Sequence, residues 1–170
     1  PFPVKLILLG VMDDENRKFL SDYFSQSKNV ILEMPCDINW KDERNIQHRI
    51  AEFDIGIATL LNTEAQRSKS AFKLKQYMNN GVPVLSSDIA ENNLFLSNGV
   101  NGYLCLNEND FRQRIMEFQF MDLKTYVRFS KNASETVRIF DHEVYYTNLS
   151  TVFNESRIQN SLLRLQAPEK

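Results

Sequence analysis

Cysteine is scarce in this chain of 170 residues, with only Cys36 and Cys105. Two thiols are too few for a disulfide framework or a cysteine metal site. Cys105 falls on an apolar strand pattern and reads as a small core hydrophobe. An excess of one charge is also lacking: 20 Lys and Arg against 22 Asp and Glu leave a net charge of −2. That excludes a molecule-wide positive field, and with it a general nucleic-acid binder, so any anion must be held by local charge. No apolar run approaches the roughly 20 residues that span a bilayer, and no secretory signal opens the chain. A cytoplasmic protein is expected, and the Asn-x-Ser sequons at Asn132, Asn148 and Asn154 read as chance. Gly10 has no following Gly-x-x-Gly, which argues against a nicotinamide-dependent oxidoreductase. Of the two histidines, His48 lies on a polar helix pattern and His142 opens one beside Asp141, as surface and cap. Pro1-Phe2-Pro3 is no natural start, so a domain cut from a longer protein is expected.

What is present is an ordinary globular composition, 42% apolar and 25% charged. A chain of this length buries roughly two-thirds of its unfolded surface, enough for a real core. Short apolar runs at 4–10, 30–34, 55–60, 84–86 and 103–106 read as strands. The run at 55–60 is uninterrupted, as in strands covered on both faces. Between them lie helical patterns: one ending near Ser25 with Phe19, Leu20, Tyr23 and Phe24 on one side, one over 43–53 with Ile46, Ile50 and Phe53 inward, one over 70–80, and a short one over 92–97. Asp13, Asp14 and Glu15 suit the first helix start, where the macrodipole favours negative charge. Trp40 is either a loop anchor or a ring for stacking on a nucleobase. From Leu106 onward the chain reads as helix. Phe111, Ile115 and Phe118 form one stripe, and Tyr126, Val127, Ala133, Val137 and Phe140 the next. Residues 142–153 make a third, and 158–165 an amphipathic tail. Strands alternating with helices predict an α/β fold, a Rossmann-like doubly wound parallel sheet with C-terminal helices. The expected division is a Rossmann-like domain over 1–153 and a helical tail over 154–170.

The chemistry concentrates in 53–105. A polar loop, Asn62-Thr63-Glu64-Ala65-Gln66-Arg67, follows the carboxyl end of a strand, where open α/β sheets bind ligands. It leads into a helix with Lys69, Lys73 and Gln76 spaced four and three apart, on one face. Ser68 and Ser70 are N-cap candidates, and the N–H groups of a helix start favour an anion. A diphosphate there would meet amide donors and two ammonium groups, with Gln76 in reach of a hydroxyl such as a ribose. The plain alternative is a solvated face of lysines, the norm on exposed helices. Gly81 ends the helix, Pro83 opens the next strand, and Gly99-Val100-Asn101-Gly102 makes a turn into the last.

The segments Asp54-Ile55-Gly56-Ile57, 69–78, Gly81-Val82-Pro83-Val84, Ser86-Ser87-Asp88 and Gly99-Val100-Asn101-Gly102 resemble, in order and spacing, the C-terminal half of GT-B glycosyltransferases. The closest likeness is to the large retaining group, family 4-like, that acts on bacterial polysaccharides and glycolipids. Trp40-Lys41-Asp42-Glu43 is similar to that family's upstream segment. The resemblance covers about 30–105 well and the helices after it loosely.

The resemblance implies the donor-binding domain of a hexosyltransferase-type enzyme. Its partners would be a nucleotide-diphosphate sugar and an acceptor saccharide or lipid-linked saccharide. The acceptor is held by an N-terminal domain absent here, so this piece alone is expected to be inactive. Association of the full-length protein with the inner face of the membrane follows from such acceptors. Many members carry two glutamates eight residues apart, on sugar and ribose; here Ser68 and Gln76 stand there, with Glu64 the nearest acidic substitute for the first. By that resemblance, the family's first strand and its basic pair are also expected to be missing from this sequence. There is no Asp-x-Asp, so no metal clamp and no cofactor is expected; Lys69 and Lys73 take the catalytic role against the leaving diphosphate, with Ser68, Ser70, Gln76, Asn62 and Glu64 as donor contacts. Two other readings stand beside this one. A degenerate GT-B half would bind a nucleotide or a protein without turnover. A sugar-nucleotide epimerase would need a histidine in the loop, which has none.

Overall fold

A computed structural model of the chain describes residues 3–165. The fold divides into two units, Pro1–His48 and Arg49–Lys170. In the first, β1 (Val4–Ile7) and β2 (Val30–Glu33) run parallel, paired from Val4 with Val30 to Ile7 with Glu33. They are joined by α1 (Asp14–Ser25). Asp13 caps α1, its Oδ1 accepting the Asn16 N–H at 2.8 Å, as acidic residues at a helix start do. The Arg17 guanidinium fastens α1 to the strand ends by donating to the carbonyls of Val11 and Met34 at 2.8 and 2.7 Å. The expected inward stripe of α1 is only partly realised: Phe19 and Tyr23 are exposed, and no residue of the helix is buried. Two four-residue strands offer too narrow a surface to cover all four apolar side chains. The Trp40 ring lies 3.5 Å from where a Cβ on Gly10 would stand, so it packs at the turn after β1. The unit boundary falls within α2 (Glu43–Ile50), which stops three residues short of the expected end. Ile46 and Ile50 are buried, and Phe53 lies beyond the helix.

The second unit holds β3 (Gly56–Ala58), α3 (Glu64–Arg67), α4 (Phe72–Asn79), β4 (Val84–Ser87), α5 (Asn92–Phe95), β5 (Gly102–Cys105), α6 (Glu108–Gln119), α7 (Leu123–Val137) and α8 (His142–Leu165). A single 3-10 turn, Arg138–Phe140, joins the last two. The strands form a parallel sheet in the order β3-β4-β5, with Gly56 beside Val84 and Val84 beside Gly102. Helices cover both faces. On one face Ala58 and Val84 pack with Leu74 and Met78 of α4 and with Ala133 and Val137 of α7. On the other, Leu85, Tyr103 and Cys105 pack with Phe129, and Phe111, Ile115 and Phe118 of α6 close over them. The rings of Tyr103, Phe118 and Phe129 meet at centroid distances of 5.3 to 6.1 Å, each pair adding about 1 kcal/mol to simple burial. This is the α/β, Rossmann-like arrangement of parallel strands and covering helices that the sequence pattern predicts, with the strands paired in one sheet of two and one of three.

Several local details follow from chemistry visible in the sequence. The helix α4 ends in a Schellman motif, with Gly81 at φ +67° donating to the Met78 carbonyl and Val82 donating to that of Tyr77. Pro83 then releases the chain into β4. Gly56 is required for a different reason: a Cβ there would lie 2.4 Å from the Tyr77 ring, so its absence seats α4 on the sheet. The turn before β5 is held by Asn101, which is 2% exposed. Its Oδ1 accepts the Ser97 N–H, and its Nδ2 donates to the Phe95 carbonyl and the Thr136 hydroxyl. Cys105 is buried, and burial pushes its thiol pKa up to about 11. The stripe expected on α7 needs correction. Phe129, Ala133 and Val137 are its buried residues, four apart, whereas Val127 is 54% exposed and Phe140, beyond the helix in the 3-10 turn, is 47% exposed. The backbone of α8 runs helical across residue 153 to Leu165. Residues 166–170, and the side chains of the 158–165 pattern, lie outside the described residues.

Candidate functional site

The carboxyl ends of β3 and β4 are locked by a buried polar network. The Ser86 hydroxyl donates to the Ala58 carbonyl at 3.0 Å, and Asn92 Nδ2 donates to Ser86 Oγ at 2.6 Å and to the Ser87 carbonyl at 3.1 Å. Ser87 Oγ accepts the Leu60 N–H at 2.9 Å. Ser86, Ser87 and Asn92 are all buried, and a satisfied network of this kind fixes the strand ends rigidly. The loop after β3 is therefore launched from a fixed edge. It closes on itself: the Leu61 N–H donates to Gln66 Oε1, and Arg67 Nε donates to Asn62 Oδ1 at 2.8 Å.

The expected polar loop contains α3, a single helical turn that ends at Ser68. This changes where the lysines stand. Lys69 and Ser70 form a non-helical link, and α4 begins only at Phe72 with Ala71 as its N-cap residue. Lys73 and Gln76 are on α4, but Lys69 precedes it, so the three do not share one helix face. The backbone accounts for the delay, because the Lys69 N–H still bonds back to the Gln66 carbonyl. Nor do Ser68 and Ser70 cap α4. The Ser68 hydroxyl donates instead to the Ala65 carbonyl, and the N-cap makes no side-chain cap bond. Ser68, Lys69, Ser70, Lys73, Asn62 and Glu64 are all exposed, and Gln76 is half-buried. Among the described residues no carboxylate pairs with Lys69 or Lys73. The N–H groups of Phe72, Lys73 and Leu74 have no partner among the described hydrogen bonds. The start of α4 thus carries unpaired amide donors on the exposed Phe72 and Lys73 and on the buried Leu74, with Lys73 in its first turn.

Two residues not anticipated from the sequence border this start. Glu91 Oε2 accepts the Ala71 N–H at 3.0 Å and stands 3.7 Å from Lys75 Nζ. The Lys75 ammonium in turn lies over the rings of Phe95 and Phe140, 4.6 and 4.5 Å from their centroids. The residue before Glu91, Ala90, sits at φ +60°, a strained value for alanine. Tyr77, two residues further along α4, has its pKa raised by burial. Among the described residues no three His, Cys, Asp or Glu side chains are grouped to hold a metal ion, and no helix is long and apolar enough to cross a membrane.

No protein-family model and no curated protein matches the chain. Solved structures do share its fold. A point mutant of S. aureus TarM, crystallised in complex with fondaparinux, α-GlcNAc-glycerol and UDP, matches with a TM-score of 0.59 and 20% identity, over 89% of this chain and 28% of its own. The GtfA/B complex matches with a TM-score of 0.58 and 15% identity, over 91% of this chain and 30% of that one. A further crystal structure of TarM gives a TM-score of 0.55 and 19% identity, over 86% and 28%. The shared fold is the Rossmann-like one of GT-B glycosyltransferases. The chain spans less than a third of the length of each of these structures.

Proposed function

We propose that this chain is the donor-binding domain of a retaining, family 4-like glycosyltransferase of the GT-B kind, and that it holds a nucleotide-diphosphate sugar at the start of α4. The observation that carries this reading is the uncapped first turn of α4, with Lys73 in it and Lys69 just ahead, beside the locked carboxyl edge of a parallel sheet. Amide donors with ammonium groups beside them suit a leaving diphosphate, whose charge grows as the sugar departs. No metal is required for that task. Gln76 is the ribose contact, and Ser68, Ser70, Asn62 and Glu64 line the approach. The acceptor, a polysaccharide or lipid-linked saccharide of the bacterial type, is held by a further domain. This piece on its own binds donor without hexosyl transfer, and the whole protein works at the membrane periphery.

A second reading has its own support. The Ser68 hydroxyl is spent on the chain's own carbonyl, and a carboxylate already sits at the start of α4. Both fit a non-catalytic GT-B half. Thermal shift with UDP and GDP separates the two. For donor binding, stability rises as RT ln(1 + [L]/Kd), about 1.4 kcal/mol at tenfold excess over Kd. Silence with every nucleoside diphosphate at millimolar concentration removes the donor-binding reading.

A further inference from the structure

We propose that Glu91 and Lys75 form a charge pair that sets how tightly the start of α4 holds a diphosphate, with Glu91 acting as the protein's own anion on that helix. This rests on the donor-binding reading and adds to it a determinant of ligand affinity. Glu91 takes the Ala71 N–H at 3.0 Å, at the helix end where a phosphate oxygen would find its donors. An ion pair and the backbone that presents it hold it there. Its Oε2 lies 3.7 Å from Lys75 Nζ, which is only 28% exposed against 45% for the Glu91 side chain. Lys75 cannot easily swing to solvent, because its ammonium rests on the Phe95 and Phe140 rings. The chain reaches Glu91 through a left-handed alanine, a conformation that surrounding contacts must maintain.

A carboxylate beside the amide row opposes a second anion by Coulomb repulsion, and the half-buried ammonium behind it offsets part of that field. The two residues therefore act on a diphosphate with opposite signs, although they stabilise the fold together. This distinguishes a role in binding from a merely structural one. Glu91→Gln keeps an oxygen to accept the Ala71 N–H and removes the charge. Lys75→Met keeps the apolar stem on the two rings and leaves Glu91 uncompensated.

The test is calorimetric titration of the intact chain and both variants with UDP and with inorganic pyrophosphate, at low and high salt, alongside Tm. Glu91→Gln is expected to bind both about tenfold tighter and Lys75→Met about fivefold weaker, with the differences shrinking at high salt. Tm should fall in both. Affinities that move together, or do not move while the unaltered chain binds, overturn the charge-pair role and leave the donor-binding reading standing. Silence of all three proteins toward both ligands removes that reading and this inference with it.

Discussion

The helix α7 begins with Asp122, whose Oδ1 accepts the Thr125 N–H at 3.0 Å and whose Oδ2 accepts the Thr125 hydroxyl at 2.7 Å. Those bonds, the hydroxyl first, hold the Asp122 carboxyl below its usual pKa of 3.8. The helix α4, packed against α7 in the same unit, begins with Ala71 and has no such side chain. One start satisfies its own donors locally, within three residues. The other leaves its first turn open and receives a carboxylate from Glu91, 20 residues further along the chain. A local cap stabilises the helix and closes it to ligands. A distant, adjustable partner leaves the same donors available to something else.

The most severe way to break this comparison is to unseat α4. In Gly56→Ala the new methyl would stand 2.4 Å from the Tyr77 ring, and a loss of about 3 kcal/mol is expected in denaturant unfolding. A change below about 0.5 kcal/mol would show that α4 does not depend on that contact. Next in size is Lys73→Ala, expected to weaken UDP binding at least tenfold, about 1.4 kcal/mol. An unaltered Kd takes Lys73 out of the site. The smallest effect belongs to the closed start. Asp122→Ala should lower Tm by about 3 °C at pH 7 and leave UDP binding unchanged. Because the folded carboxyl has the lower pKa, this contribution is present above pH 3.8 and is lost as pH falls through the folded value. Melting curves of the two proteins should therefore converge in strong acid, and a gap that persists there would mean Asp122 acts through something other than its charge.

Where function and local chemistry coincide, the sequence is readable. Gly81 and Pro83 mark the end of α4 and the start of β4 because only a left-handed residue and a fixed φ fit those two places. Asp13 announces α1, and the apolar setting of Cys105 announces a core strand. The start of α4 is harder to see. A four-residue helix such as α3 has no periodicity, so Lys69 and Ser70 read as the beginning of α4 when they only approach it. The true stripe of α7 runs through Phe129, and Val127, two residues earlier, offered an equally apolar choice. Glu91 and Lys75 meet only in three dimensions, and an acid 16 residues from a base carries no signal in a linear reading. Ser86 and Ser87 gave a faint one, as hydroxyls inside an otherwise apolar strand.

The Asn101-Gly102 turn has a chemical consequence. Asparagine before glycine is the pair most prone to cyclise to a succinimide, since glycine leaves the following nitrogen free to attack the side-chain amide. Here both ends of that amide are bound, to Ser97, Phe95 and Thr136, and water is shut out. Conversion to aspartate can proceed only while the turn is open, so its slow accumulation in stored protein would act as a clock that counts openings of the segment between α5 and β5.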